Sequence, residues 1–323
     1  MKRTTNLILI LMVMILVIAA CGSGSAGDTT TEPPNDAGTV TTDQPDTTVA
    51  AADEETNGES EDPVVDGPLE PPDLEPGAFG DPTNVDHKWF PLIPGTQLIF
   101  EGVTLDKDED EEIPHRVIFT VTDLTKMIGG VESVVIWDQD FSEGELVETE
   151  IAFFAQDDEG NVWRMGEYPE EYEDGEFVEA PSWIHGIDGS RAGIHMPASP
   201  QTGTPSFPQG WAPSVEWTDR GKVFEVGTQT CVPVDCFEDV LIVDEFSLDE
   251  LTFFQVKYYA PGVGNVQVGW KGNDPEGETL ELVAWNLLDA AGLADAREAA
   301  LALEENGYER SEVYAQTEPI DVP

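Results

Sequence analysis

The sequence has few basic residues, few cysteines and only one long apolar run. Its 323 residues include 14 Lys and Arg against 66 Asp and Glu, which gives a formal net charge of −52. A chain this acidic repels the phosphates of nucleic acids and anionic lipids, so we exclude nucleic acid as a partner. A charged partner would be cationic. The alternative is that the acidity only suits a solvated surface in a salty or divalent-rich medium.

Catalytic and cofactor motifs are missing. The four histidines, His87, His115, His185 and His195, lack the HExxH spacing of a zinc protease, and no GxSxG elbow, P-loop or GxGxxG fingerprint occurs. We therefore predict a protein that is not an enzyme and has no bound cofactor. His185 and His195 share a long segment with Trp183, so they could converge on a pocket; surface or structural roles are the other interpretation.

An acidic run at 106–112 is similar to a calcium loop but fails its pattern. The sixth position is Glu111 where an EF-hand needs glycine, and the twelfth is Val117 where it needs glutamate. A solvated hairpin tip is the main expectation. The weak candidates for a loose divalent site are Asp106, Asp108, Asp110 and Glu112.

Aromatic residues are absent before Phe79. Residues 22–80 hold fifteen Asp and Glu, eight Pro and nine Thr, with no Lys, Arg or His. Such a composition cannot bury enough apolar surface to offset the entropy of ordering its backbone. We predict a disordered acidic tether over 21–80 that holds a domain away from a surface.

The single long apolar run covers the fourteen residues 7–20 and follows Lys2 and Arg3. As a helix it would rise about 21 Å, short of a hydrocarbon core of roughly 30 Å. A basic start, a short apolar stretch and small residues at its end are typical of a secretory signal, here 1–20. An uncleaved N-terminal anchor and a buried core helix are the alternatives.

The run ends in Ile18, Ala19, Ala20 and Cys21, which resembles the lipobox of bacterial lipoproteins. The resemblance implies cleavage before Cys21 and acylation of Cys21. Acyl chains at roughly 0.8 kcal/mol per buried methylene would then be the sole membrane attachment. It also implies a location on the cell membrane or outer envelope, facing the extracytoplasmic side, and we expect a monomer.

Residues 81–290 have the alternating pattern of a mainly β domain. Short alternating runs separated by polar, Gly-rich turns predict an antiparallel meander that forms a strongly curved sheet or incomplete barrel. We expect the segment 182–218, rich in Gly, Pro and Trp, to cross an open end as a lid or plug. The predicted strands are 97–102, 116–124, 131–139, 144–156, 162–167, 222–228, 240–246, 251–260, 265–271 and 279–285.

The C-terminal region 291–323 predicts one helix and a loose acidic tail. Residues 291–306 are rich in Ala, Leu and Glu, and Gly307 is a plausible helix stop. Leu293, Ala296, Ala300 and Leu303 form a modest apolar face that we expect to pack on the outside of the sheet. Binding of a partner by this helix is the alternative.

Cys231 and Cys236 are the two remaining cysteines. Outside the cytoplasm, two cysteines five positions apart favour a disulfide. A metal site would need further ligands.

Several phrases resemble a family of bacterial lipoproteins and secreted proteins of uncharacterised function, and together they cover most of 85–320. The resemblance implies no particular activity. The phrases are WFPLIPGT at 89–96, FAQD at 154–157, GNVW at 160–163, GIHMPASP at 193–200, YYAPGVG at 258–264 and YAQTEP at 314–319.

Three functions fit the sequence. The first is a lipid-anchored binding or envelope-interaction protein whose concave sheet takes an apolar ligand or a peptide. The second is an extracellular hydrolase that uses carboxylates with His185 or His195. The third is a surface protein that binds divalent cations or cell-wall components. An apolar cavity favours the first, and clustered histidines and carboxylates in a cleft favour the second.

Overall fold

Antiparallel strands dominate the chain, as the alternating sequence predicts. The computed structural model describes residues 65–106, 111–274 and 277–323, so Cys21, the signal segment and the tether up to residue 64 lie outside it. The strands are β1 Thr96–Asp106, β2 Glu111–Ile128, β3 Val131–Ser142, β4 Glu145–Gln156, β5 Val162–Glu173, β6 Glu176–Glu179, β7 Trp183–Ile184, β8 Arg191–Met196, β9 Phe207–Pro208, β10 Gly210–Trp211, β11 Asp219–Cys231, β12 Cys236–Ser247, β13 Phe253–Ala260, β14 Gly264–Gly272 and β15 Thr279–Leu287.

The strands form one sheet that curls into a nearly closed barrel. Its hydrogen-bonded order is β10-β8-β5-β4-β3-β2-β1-β15-β14-β13-β12-β11-β9, and β6 and β7 both pair with β5. The prediction of an antiparallel meander forming an incomplete barrel is confirmed. All ten predicted strands are present, and most are longer than predicted.

One seam interrupts the barrel, and the chain itself crosses it. The two edge strands, β9 and β10, are separated only by Gln209, so the segment 207–211 pairs with β11 through its first half and with β8 through its second. The prediction that 182–218 forms a lid or plug is therefore wrong. This stretch instead forms strands β7 to β10. These strands are too short for an alternation of apolar and polar residues to be recognised in the sequence.

A different segment plugs the barrel. Val85, Trp89, Phe90 and Leu92 are buried in one apolar cluster with inward-facing residues of the strands. The Trp89 indole Nε1 donates to the Asp239 carbonyl at 2.9 Å, which fixes the segment against β12. We call residues 85–92 the plug.

The described structure begins at residue 65, before the predicted end of the tether at residue 80. Residues 65–80 are assigned to the tether by composition, but 66–73 contact residues near the seam and Phe79 packs against Trp163. Asp66 accepts from the Ser206 amide at 2.9 Å, and Arg220 donates to the Leu69 carbonyl at 3.2 Å. Arg191 on β8 binds Glu70 and Asp73, each at 2.7 Å. We call residues 65–74 the strap.

One α-helix, α1, covers Ala290–Arg310, and 3₁₀ turns cover Pro76–Ala78, Pro213–Val215 and Tyr314–Gln316. Asp289 caps α1 by accepting from the amides of Ala291 and Gly292, which satisfies two donors of the first turn. The prediction of packing outside the sheet is confirmed, because Ala300 and Leu303 are buried against the outer face of β2–β5.

Gly307 does not end the helix. It lies within α1, and a Cβ at this position would lie 2.7 Å from Cδ1 of Tyr314. The glycine is therefore needed for close packing of the Tyr314 ring. The tail after α1 is not loose as predicted: Ile320 is buried, and the Thr125 and Asp321 backbones exchange two hydrogen bonds.

The outer face of β2–β5 and α1 together form an apolar layer that we call the outer core. It contains a single buried cation, Lys126, which contacts Glu304 at 2.9 Å. Burial lowers the pKa of Lys126, and Glu304 opposes that shift. The principal residues of the outer core are Leu124, Val135, Ile151, Phe153, Met165, Tyr168, Ala300, Leu303 and Tyr314.

No helix among residues 65–106, 111–274 and 277–323 has both the length and the apolarity that crossing a bilayer requires.

Candidate functional site

The barrel contains a cavity of about 220 Å³ that is partly open to solvent. Two chemically different surfaces line it, and they adjoin where β2 meets β3, because Val117 pairs with Asp140 and Phe119 with Asp138. The apolar wall, from β1, β2, β14 and β15, consists of Leu98, Phe100, Val117, Phe119, Val268 and Leu280. The acidic wall, from β3, β4 and β5, contains Asp138, Asp140, Glu148, Glu150, Glu167 and Glu171.

The acidic wall arises where inward-facing positions change from apolar to acidic along the strands. On β4, Phe154 and Ala152 face the interior, and Glu150 and Glu148 continue the same alternation. On β3, Val134 and Ile136 are likewise followed by Asp138 and Asp140. The cross-strand pairs Ile136↔Ala152 and Asp138↔Glu150 place this change at one level of the barrel.

Arg164 is the cation of the acidic wall. The register of β4 and β5 shifts near Gly166, whose φ of 150° suits glycine, so that Arg164 and Glu167 both face the cavity. Arg164 forms a short contact with Glu167 and a longer one of 3.5 Å with Glu150. Its guanidinium also lies 5.2 Å from the Trp217 ring centre. Burial raises the pKa of Glu150 to about 7, although Arg164 opposes the shift.

Lys257 and Glu245 form a second ion pair, at 2.7 Å. Gln209, at the seam, donates its amide to the same carboxylate at 2.7 Å, and the Tyr259 hydroxyl approaches it at 3.3 Å. Burial alone would raise the pKa of Glu245, but Lys257, together with the neighbouring His195, lowers it to about 2. Glu245 is therefore ionised at every physiological pH.

His195 is a neutral side chain in the cavity. It is only 7% exposed, with its ring centre 4.5 Å from that of Phe90 and 5.2 Å from that of Phe154. Burial lowers its pKa to about 3. The Gln209 amide, oriented by Glu245, lies 3.5 Å from Nδ1.

Two buried polar atoms that belong to cavity-lining residues have no hydrogen-bond partner among the described residues: Arg164 Nε and Asp219 Oδ1. Buried polar atoms are nearly always paired, so water or a ligand group is expected beside them. Burial and the Glu245 charge raise the pKa of Asp219 to about 7.

A third charged group lies at the edge of the cavity. His115 Nε2 contacts Asp140 at 2.5 Å, and Nδ1 contacts Glu278 at 3.0 Å. Burial alone would lower the pKa of His115, but the two carboxylates raise it to about 10. His115 is therefore a charged structural link between β2, β3 and the start of β15.

The other predicted site residues fall elsewhere. His185 and His195 do not converge: His185 accepts from the Ala192 amide at 3.0 Å and does not line the cavity. His87 contacts the Pro197 carbonyl at 3.0 Å. The Cys231–Cys236 disulfide is confirmed.

The acidic run at 106–112 is only partly described. Asp108 and Asp110 lie outside the described residues, and Asp106 and Glu112 belong to β1 and β2. Within the described ranges, no group of three or more His, Cys, Asp or Glu side chains is arranged to hold a metal ion.

Comparison with known proteins identifies no family for this chain. No family model matches the chain, and no curated protein matches it. Two solved structures share part of the architecture. One is a Bacteroides fragilis protein described as exported, with a YmcC-like fold, at 13% identity over 62% of this chain and 99% of that one, with a TM-score of 0.37. The other, from Parabacteroides distasonis, is described as a lipoprotein, at 12% identity over the same shares and a TM-score of 0.30. Neither similarity is close enough to support an argument.

Sequence reasoning missed the acidic wall, although one signal was available. Glu148 and Glu150 alternate in phase with Ala152 and Phe154, so all four must face the same side of β4. Arg164 and Lys257 are two of only twelve basic residues in 81–323, and both lie within alternating strands.

Proposed function

We propose that this protein is a lipid-anchored, extracytoplasmic binding protein that holds a small ligand inside its barrel. The cavity is the observation that carries the proposal. It combines an apolar wall with a few oriented polar groups, the usual composition of a small-molecule site. Among these polar groups, Arg164 and Lys257 are held in place by their ion pairs with Glu150 and Glu245.

Occupancy of the cavity is tested by filling it. Ala152 is 2% exposed and lines the cavity, so Ala152→Phe should occupy part of its volume. Ligand-detected NMR with small apolar and amphipathic molecules should show binding to the wild type and loss of binding in the variant. Val117→Phe, from the apolar wall, is the second variant in case Ala152→Phe does not fold. Unchanged binding in a folded variant would place the ligand elsewhere.

Hydrolysis is the second candidate, because the cavity holds carboxyl groups in two protonation states. Glu245 is held ionised, whereas the pKa of Glu150 and of Asp219 is raised to about 7. Two carboxyl groups whose surroundings move their pKa values apart are typical of the acid and base of a catalytic pair. The mass of each small molecule after incubation separates the candidates: an unchanged mass supports binding, and a cleaved product supports hydrolysis.

The anchor rests on Cys21 and the preceding apolar run. Metabolic labelling with a fatty acid in a bacterial host should label the wild type and place it in the membrane fraction. Cys21→Ser should lose the label and release the protein from that fraction. Label retained in Cys21→Ser would contradict acylation at this residue.

A further inference from the structure

The two cations in the cavity are already committed to carboxylates. Arg164 contacts Glu167 and Glu150, and Lys257 contacts Glu245 at 2.7 Å. Neither is available to neutralise further acids. The electrostatic character left for a ligand is therefore negative.

Three carboxyls of the acidic wall have no Lys or Arg partner among the described residues: Asp138, Glu148 and Glu171. Glu148 lies directly opposite Glu171 in the β4–β5 pairing, and Asp138 lies opposite Glu150 in the β3–β4 pairing. These facing carboxyls would repel each other if both were ionised. A cation placed between the strands would relieve that repulsion and allow them to ionise.

His195 also lines the cavity and is 7% exposed. Its imidazole is neutral, so it adds no positive charge that would repel a cation.

The apolar wall of the cavity requires an apolar group. Leu98 and Leu280 are each 3% exposed, Phe100 is 4% exposed, and all three line the cavity on strands β1 and β15, next to β2 and the acidic wall beyond it. A small inorganic cation would leave this wall uncovered. A ligand that is charged at one end and hydrocarbon at the other would cover both walls.

We infer that the cavity binds a small primary alkyl amine, with its ammonium group against Asp138, Glu148 and Glu171 and its hydrocarbon part against the apolar wall. This inference rests on the proposed binding function and specifies its ligand. The nine-to-two excess of acidic over basic lining residues disfavours an anionic ligand.

Binding should release protons. Burial and repulsion from Glu150 hold the pKa of Glu148 well above its ordinary value, and burial with the neighbouring Glu179 raises the pKa of Glu171 to about 7. These carboxyls must ionise to pair with an ammonium group, which stays charged below about pH 10. The other charged groups facing them are Asp138, Asp140, Glu150, Arg164 and Glu167.

The test compares hexylamine, hexanol and hexanoate, which share a chain and differ in head group. Isothermal titration calorimetry with the folded wild type should give hexylamine an affinity on the order of tenfold or more above hexanol, and hexanoate the weakest binding. Between pH 8 and pH 6 the hexylamine affinity should fall by up to about tenfold per unit for each proton released, while the hexanol affinity stays constant.

Glu148→Gln should remove most of the preference for hexylamine over hexanol. Glu145→Gln is the matched control, because Glu145 lies on the same strand and is exposed. Glu171→Gln is the second variant if Glu148→Gln does not fold. Equal binding of amine and alcohol, or tighter binding of hexanoate, would overturn the amine assignment while sustaining a binding cavity. Calcium bound as tightly as hexylamine would also overturn it. Binding of none of the probes would overturn both proposals.

Discussion

The two faces of strands β2–β5 differ in whether their charged side chains have partners of opposite charge. On the outer face, Lys126 is the one buried cation of the outer core, and it is paired with Glu304. On the inner face, acidic side chains lie next to one another, and three of them have no cationic partner within the described chain. The outer face therefore satisfies the requirements of a folded core, whereas the inner face does not.

This difference separates stability from binding within a single sheet. A buried charge is tolerated when its partner is also buried, and an unpaired one costs free energy. Functional sites commonly violate packing rules that the rest of a protein obeys. The inner face thus has the character of a site, and the outer core provides the stability that offsets its cost.

Adjacent phenylalanines on β4 test this separation with the largest expected effect. Phe153 is fully buried in the outer core with its ring 6.3 Å from that of Tyr314, whereas Phe154 borders the cavity. Phe153→Ala should lower the free energy of unfolding by about 3–5 kcal/mol and leave hexylamine affinity unchanged. Phe154→Ala should cost less, because its ring already borders open space, and should weaken binding.

Urea unfolding and calorimetry measure the two effects separately. Equal stability losses, together with equal effects on affinity, would show that the two faces are not functionally distinct.

A smaller effect is expected from the charge on the inner face. The pKa of Glu171 is raised to about 7. A carboxyl with a raised pKa favours the folded state below its unfolded pKa, near 4.5, and this contribution is lost as pH rises through 7. Glu171→Gln should therefore be more stable than the wild type at pH 8 by roughly 1–3 kcal/mol, with little difference below about pH 5.

Glu173→Gln, on the same strand but exposed, is the control and should change nothing. Chemical denaturation at the two pH values gives the comparison. A variant that is less stable at pH 8 would mean that the ionised Glu171 has a stabilising partner.

The sequence predicts the strands well because alternation is a local property. It does not predict which face of a strand meets the cavity, since β4 carries apolar residues on both faces at 151–155. Glu148 and Glu150 look like any of the 66 acidic residues until the fold places them inside. Gly307 illustrates the same limit: glycine is a common helix stop, but here contact with Tyr314, seven residues later, explains it.

The strap also depends on distant contacts. Residues 65–74 have the composition of the tether, yet Arg191, Arg220 and Lys222 hold them to the barrel. These three basic side chains come from strands β8 and β11, more than a hundred residues away in the sequence. Composition alone therefore places the end of the tether too late.

The strap determines which contacts of the barrel would be loaded first when the chain is pulled from its N-terminal side. Tension from the N-terminal side reaches Asp66 first, and with it Ser206 and Lys222 beside the seam. The contacts with Arg220 and then Arg191 follow in chain order, so the strap would peel away one attachment at a time. The seam region is thus the first part of the barrel to bear a load transmitted along the chain from residues before the strap.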